Sequence, residues 1–333
     1  MKLKTLVALV PAVMAAMLFS CSGDASYRHY DGAVWATTFH ITYRSDRVLD
    51  DSIQSVMSRV ERSLSPFSDA SLVTAINECR TTDTDSLFRR IFIASSLVSR
   101  ASGGRYDPTV MPLVELWGFG RKKNVAEPSQ ADIDSALAGV GISRCRLDGN
   151  RIVKASPSTR FDFSSITKGY GCDLVGEMLR RNGCTDYMVE IGGEMALSGR
   201  NPHGEPWHVM VEAPIDNDST VEHHRMAVMV VSDCGVATSG NYRNYRDFAS
   251  GRKGHTISPV TGRPVSTSTL SATVVAPDAM TADALATACM AMPVDEALRM
   301  VEYMPDTYAL IVTVTPDGGW KRYLSNGFPP LSD

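Results

Sequence analysis

Tyr187-Met-Val-Glu-Ile191, Trp207-His-Val-Met-Val211 and Ala227-Val-Met-Val-Val231 are three five-residue runs dominated by β-branched and aromatic residues. Their length and composition predict strands rather than helices. Leu270–Val275 and Tyr308–Val314 read the same way, and in Thr38–Tyr43 the residues Phe39, Ile41 and Tyr43 alternate with polar neighbours. Working outward, helical spacing is predicted over 51–63, where Ile53, Val56, Met57 and Val60 share one face, and over 71–79 and 85–102, the latter stopped by Gly103-Gly104. Further helices are predicted over 128–140, 167–182, 281–292 and 294–303, and a hairpin around Asp148-Gly149-Asn150. Strands concentrate in the second half, with helices inserted rather than strictly alternating. That pattern predicts an α+β fold with a mainly antiparallel sheet, not a doubly wound one. No linker separates two cores, so residues 33–333 read as one large domain. Ile215–His224 reads as a surface loop that leaves His223-His224 solvated.

Of the 333 residues, 44% are hydrophobic and 21% charged, which is ordinary globular usage and excludes a disordered chain, a collagen or a coiled coil. Lys plus Arg number 33 against 37 Asp plus Glu, a net charge of −4. A nucleic-acid binder needs a basic surface to displace counterions, so that class is excluded. The chain opens Met1-Lys2-Leu3-Lys4 and runs apolar from Leu6 to Phe19. That run falls short of the roughly 20 residues needed to span a bilayer and matches a secretory h-region. Leu18-Phe19-Ser20-Cys21 resembles a bacterial lipobox. The expectation is a signal peptide over 1–20, lipidation at Cys21, and a polar tether over 21–32 that holds the protein outside the cytoplasm, on the periplasmic face of the inner membrane. An ordinary signal peptide with Cys21 as a leftover thiol is the alternative. Six other cysteines (79, 145, 172, 184, 234, 289) are irregularly spaced and form no CxxC, so ribbon-type metal sites and redox motifs are excluded. Cys172, Cys234 and Cys289 lie in apolar stretches and read as buried thiols.

Chemistry-bearing residues gather in a few stretches. In Asp162-Phe-Ser-Ser165-Ile-Thr-Lys168-Gly-Tyr170 a strand end meets a helix start, offering free backbone N–H groups and a lysine to an anion. The same stretch contains Ser165-x-x-Lys168, and Ser239-Gly-Asn241 and Thr261-Gly262 follow in the order of an acyl-enzyme serine hydrolase, although Val260 stands where that pattern needs lysine. In Ala282-Asp283-Ala-Leu-Ala-Thr287-Ala288, Asp283 and Thr287 are four residues apart and share a helix face. A carboxylate and a hydroxyl there form part of a hard-oxygen shell for Mg²⁺; an N-terminal-turn Asp with a back-bonded Thr is the plain structural reading. Ile191-Gly192-Gly193-Glu194 and Gly235–Asn241 read as small-residue turns. His255 sits alone between Gly254 and a strand-like segment.

In order, Trp35-Ala-Thr-Thr-Phe39, Ser65-Pro-Phe67, Ser71-Leu72 through Asn77, Gly104-Arg-Tyr-Asp107 through Trp117-Gly-Phe-Gly120, Asp162–Tyr170 with Asp173, Gly192-Gly193-Glu194, Thr238–Tyr242, His255–Gly262 and Ala282–Ala288 resemble the ApbE family, the FAD:protein FMN transferases. The resemblance spans about residues 33–292 and implies a T-fold-like single large domain. It implies transfer of the FMN half of FAD to a Thr or Ser hydroxyl of a target flavoprotein, with Mg²⁺ required and AMP released. Carried over by position, Asp283, Thr287 and the Ser165 backbone carbonyl would bind the metal. Asp162 and Lys168 would hold FAD, with the lysine offsetting pyrophosphate charge. Phe67 would stack on the flavin, and Trp35, at a position where Met is common, would also bind the cofactor. Arg105, Tyr106, Asp107 and Ile257 would touch FAD partly through backbone. His255 would deprotonate the acceptor hydroxyl, as a neutral imidazole with a reference pKa of about 6.5 can near neutral pH. The implied acceptors are subunits of Na⁺-pumping NADH:quinone oxidoreductase or Rnf-type complexes. Ala36 replaces the family's usual Gly, Thr167 a small apolar residue, and Phe67 a Tyr. Three other readings stay open: an Mg²⁺-dependent FAD pyrophosphatase giving FMN and AMP, a serine acyl-enzyme using Ser165 and Lys168, and a non-catalytic flavin-binding lipoprotein.

Overall fold

A computed structural model of the chain describes residues 26–121, 123, 125–214, 224–241 and 245–332. In chain order the elements are β1 (Ser26–Val34), β2 (Thr37–Ser45), α1 (Asp50–Leu64), α2 (Leu72–Asn77), α3 (Ser86–Ala101), α4 (Met111–Leu116), α5 (Gln130–Leu137), β3 (Arg146–Asp148), β4 (Arg151–Val153), α6 (Thr167–Arg181), β5 (Tyr187–Ile191), β6 (Glu194–Ser198), β7 (Trp207–Glu212), β8 (Arg225–Val231), β9 (Cys234–Gly240), β10 (Tyr245–Phe248), β11 (Gly251–Gly254), β12 (Thr269–Ala276), α7 (Ala279–Met290), α8 (Val294–Glu302), β13 (Tyr308–Val314), β14 (Trp320–Leu324) and β15 (Leu331–Ser332). Eight strands form one sheet in the order β1-β2-β5-β6-β9-β12-β13-β14, every neighbouring pair antiparallel. The α+β, mainly antiparallel expectation holds.

Alternation along the central strands divides the interior in two. Ile41, Val189, Ala196, Ala237, Val274 and Ile311 face a core shared with α1, α3, α6 and α7. Their neighbours Leu197, Val236, Val275, Leu310 and Val312 face a second core, closed by Trp207, Val209, Val211, Met229 and Val231 of the small sheet β15-β8-β7. A two-faced sheet buries both sets of side chains, which is why its central strands carry few charges. A third, smaller cluster joins Leu113, Trp117, Ile133, Val140 and Ile257 beneath α4 and α5.

Helix ends are set locally. Ser71, Asp85 and Asp278 accept hydrogen bonds from the backbone N–H groups of Thr74, Phe88 and Thr281, the side-chain capping that an open helix N-terminus requires. Ser129 and Asp132 form a reciprocal capping box at the start of α5.

Three expectations need correction. The tether expected over 21–32 is cut short, because from Ser26 the chain pairs with β2 as an edge strand, in register from Ser26↔Ser45 to Val34↔Thr37. Its exposed, polar composition hides it: an edge strand with one wet face carries little hydrophobic signal. Gly235–Asn241, expected as a turn, lies almost wholly in β9, a central strand between β6 and β12. Small residues are there because α7 presses on that strand: a Cβ on Gly235 would lie 2.1 Å from the Ala279 nitrogen. Last, α4, β6, β10, β11, β14 and β15 were not expected. The signal-peptide region with Cys21, and all of the 215–224 loop except His224, lie outside the described residues. Among the described residues no helix is long and apolar enough to cross a membrane. Cys79, Cys145, Cys172, Cys184, Cys234 and Cys289 are all free thiols, with Cys172 and Cys289 fully buried as expected and Cys234 half-buried.

Candidate active site

A cavity of about 490 Å³ opens where seven sequence-distant segments meet, lined among others by Phe67, Asp162, Lys168, Glu194, His255 and Asp283. One wall is the stretch before α6. Phe161 and Phe163 are fully buried, stack 8° from parallel, and each meets the edge of Phe88 with centroids 5.5 Å apart. Two neighbours anchored in the core leave Asp162 to face the cavity. The amide of Asn77 fixes Phe161 further, donating to its carbonyl (2.8 Å) and accepting from its N–H (2.7 Å). The Asp162 carboxylate accepts the Ser164 N–H at 2.9 Å; burial pushes its pKa upward against that bond.

Asp283 and Thr287 line the floor from α7, one turn apart as expected, and Ser165 lines the cavity beside them. Asp283 is 3% exposed, and one carboxylate oxygen accepts the Gly169 N–H at 3.0 Å. This contact needs a glycine, since a Cβ on residue 169 would lie 2.1 Å from the Ala279 carbonyl oxygen. The Thr287 hydroxyl is 3.3 Å from that of Ser239 on β9. Ser165 donates through its hydroxyl to the Tyr106 phenol at 3.3 Å. Lys168 bonds to the Glu194 carboxylate and, at 3.3 Å, to the Gly192 carbonyl. It does not bond to Ser165, so the acyl-enzyme reading lacks its contact between nucleophile and base.

Burial, with Asp283 adding repulsion, pushes the Glu194 carboxyl upward against the pull of the paired lysine, and burial raises Asp283 too. Lys168 remains a cation: burial opposes its charge, but Glu194 and Asp283 together raise its pKa. Two buried carboxyl groups therefore share one ammonium, a charge balance that a further cation would complete. Among the described residues no three His, Cys, Asp or Glu side chains cluster as a metal site. A set of one carboxylate, one hydroxyl and one backbone carbonyl would form no such cluster, and its all-oxygen character suits a hard divalent cation.

The other expected residues divide clearly. Arg105, Tyr106, Asp107 and Ile257 line the cavity. The Asp107 carboxylate is fully engaged, accepting from the Thr109 N–H (2.8 Å), the Thr109 hydroxyl (2.6 Å) and the Ile142 N–H (2.8 Å). It shapes the turn, and contact with a ligand falls to the backbone around it. Arg105 pairs with Glu296 at 2.9 Å. His255 follows β11 and lies against the edge of Phe119, centroids 6.4 Å apart. Phe67 is 61% exposed at the mouth. Trp35 is not brought into the cavity. It and Ala36 form the two-residue β1–β2 turn at φ 50° and 61°, a left-handed geometry that favours glycine, and a Cβ on Gly171 would lie 2.5 Å from its ring. Glu194, Thr238, Ser239, Phe119 and Thr256 also line the cavity and were not expected as site residues. Glu194 had a legible signal: a charged residue straight after a two-glycine hairpin, on the same face as the buried Ala196.

Fold and cavity together define a single-domain α+β protein with a mixed-charge cleft suited to an anionic ligand bearing an aromatic ring and to a hard cation. The ApbE family profile matches residues 35–312, and the chain belongs to the ApbE family. An FAD:protein FMN transferase of Vibrio cholerae serotype O1 is 31% identical over 333 residues, covering 97% of this chain and 98% of its own. One of Haemophilus influenzae is 31% identical over 346 residues, covering 99% of each. The solved structure of flavin transferase ApbE from Vibrio cholerae superposes with TM-score 0.80 at 31% identity over 91% of this chain and 98% of that one. Pseudomonas stutzeri flavinyl transferase ApbE, in its apo form, gives TM-score 0.81 at 29% identity over 91% and 96%.

Proposed function

We propose that this protein is an Mg²⁺-dependent FAD:protein FMN transferase. The observation that carries the reading is the single cavity joining Asp283, Thr287 and Ser165 to Lys168, Asp162, Phe67 and His255. The acceptor Thr or Ser oxygen attacks the phosphorus on the riboflavin side of the FAD pyrophosphate. A phosphoester bond forms, the bond to the AMP phosphate breaks, and AMP leaves. His255 takes the hydroxyl proton. Lys168 faces the pyrophosphate and offsets charge that grows on its oxygens, while Phe67 and the backbone around Arg105–Asp107 and Ile257 orient the flavin and nucleotide. Asp283, Thr287 and the Ser165 carbonyl would hold Mg²⁺, which when bound supplies Lewis-acid stabilisation of phosphoryl oxygens.

The acceptors in this reading are flavoprotein subunits of Na⁺-pumping NADH:quinone oxidoreductase or Rnf-type complexes. In this reading the lipobox-like segment ending at Cys21 is lipidated and anchors the enzyme on the periplasmic face of the bacterial inner membrane. The test is incubation with FAD, Mg²⁺ and a candidate acceptor, read by in-gel flavin fluorescence and intact mass. Acceptor gaining the mass of FMN is expected. FMN release without acceptor, at a rate matching transfer, would favour the pyrophosphatase reading. Asp283→Ala should lose transfer by at least about a hundredfold, because Mg²⁺ and pyrophosphate charge depend on it; a fully active variant would sink the metal assignment.

A further inference from the structure

Glu194 is 3% exposed and belongs to none of the roles above. It is the first residue of β6, placed by the Gly192-Gly193 turn, and its carboxylate holds the Lys168 ammonium. The lysine stem passes close over the turn, since a Cβ on Gly192 would lie 3.2 Å from Lys168 Cδ. The Gly192 carbonyl takes a second hydrogen bond from the same ammonium at 3.3 Å. Asp283 reaches the same place from the other side, accepting the N–H of Gly169, the residue after Lys168, at 3.0 Å. Lys168, Glu194 and Asp283 all line one cavity. The ammonium thus has two buried carboxylates within its surroundings and is bonded to one of them.

We propose that Glu194 is a positioning residue that holds Lys168 away from Asp283, so that the Asp283 carboxylate stays available to a divalent cation. An unpaired buried ammonium is costly and takes the nearest carboxylate. Without the Glu194 charge, Asp283, which lines the same cavity, is a carboxylate that the ammonium can take, and Lys168 then becomes a competitor for the metal position. The Gly192 carbonyl alone is a neutral acceptor and binds an ammonium more weakly than a carboxylate does. The proposal rests on the metal assignment to Asp283 and Thr287.

The experiment measures Mn²⁺ binding to the FAD-free protein by titration calorimetry and by the electron paramagnetic resonance of free Mn²⁺, in wild type, Glu194→Gln, Lys168→Met, the double variant and Asp283→Ala. Glu194→Gln should weaken Mn²⁺ binding by about tenfold or more, the scale on which partners of metal ligands act. Adding Lys168→Met should restore it, because the competitor is gone. Wild-type affinity in Glu194→Gln overturns the proposal. So does a double variant as weak as Glu194→Gln, which would mean that Glu194 acts on the metal directly. If Asp283→Ala binds Mn²⁺ like wild type, the metal assignment itself fails and takes the proposal with it. Circular dichroism checks each fold; should Glu194→Gln not fold, Glu194→Asp replaces it, with a smaller loss and the same rescue by Lys168→Met expected.

Discussion

Asp173 extends its carboxylate from α6 to the start of α7, accepting the N–H groups of Ala279 at 2.9 Å and Met280 at 2.8 Å. Burial, reinforced by the nearby Asp278, pushes its carboxyl up to about 7, against the pull of those two donors. A folded state that keeps a proton to higher pH than the unfolded chain has its full stability below about pH 4 and loses it as pH rises through about 7. Asp173→Asn removes that titration. Its thermal stability should therefore fall less than wild type's between about pH 4 and 8, a difference of order 4 kcal/mol at most. Parallel curves would mean that the helix N–H groups keep Asp173 ionised throughout. At this scale the sequence was readable where spacing carries meaning. Asp283 and Thr287 are four apart on a helix, and both reach the cavity. It was silent on the pairing of Glu194 with Lys168, because a contact across 26 residues of chain leaves no local pattern.

The element on which the site turns is α7. It is buried nearly all round, and its run of alanines lets α6 and β9 approach closely. Gly169 and Gly235 are the contact points, and neither leaves room for a methyl group. Gly169→Ala should drive a wedge between α6 and α7, costing about 1–3 kcal/mol as overpacking of a tight core does. It should also displace the Gly169 N–H from Asp283 and weaken Mn²⁺ binding; a variant with wild-type melting temperature and Mn²⁺ affinity would contradict this. The same crowding explains why β9 escaped the sequence reading. Glycine and serine often mark turns, but on this strand the glycines and other small residues are what a helix lying directly on the sheet permits.

Across the whole molecule the two faces of the eight-stranded sheet have different tasks. One carries α6, α7 and the cavity; the other is closed by the β15-β8-β7 sheet. Leu310 is fully buried on the second face. Leu310→Ala should cost about 2–5 kcal/mol as a core truncation, yet leave the KM for FAD unchanged, since the sheet stands between it and the site. A raised KM at a temperature where the variant is folded would show the faces to be coupled. The sequence by itself determined the α+β class, most helices and interior strands, the family resemblance and about half of the residues that line the cavity. Those features are written in local periodicity and short motifs, which depend on neighbours a few positions apart. Only the tertiary structure decided that the polar run from Ser26 is an edge strand, that Trp35 packs on Gly171 outside the cavity, and that Lys168 takes Glu194 as its partner. Each of these depends on which distant segment comes to lie alongside, and that is set by packing.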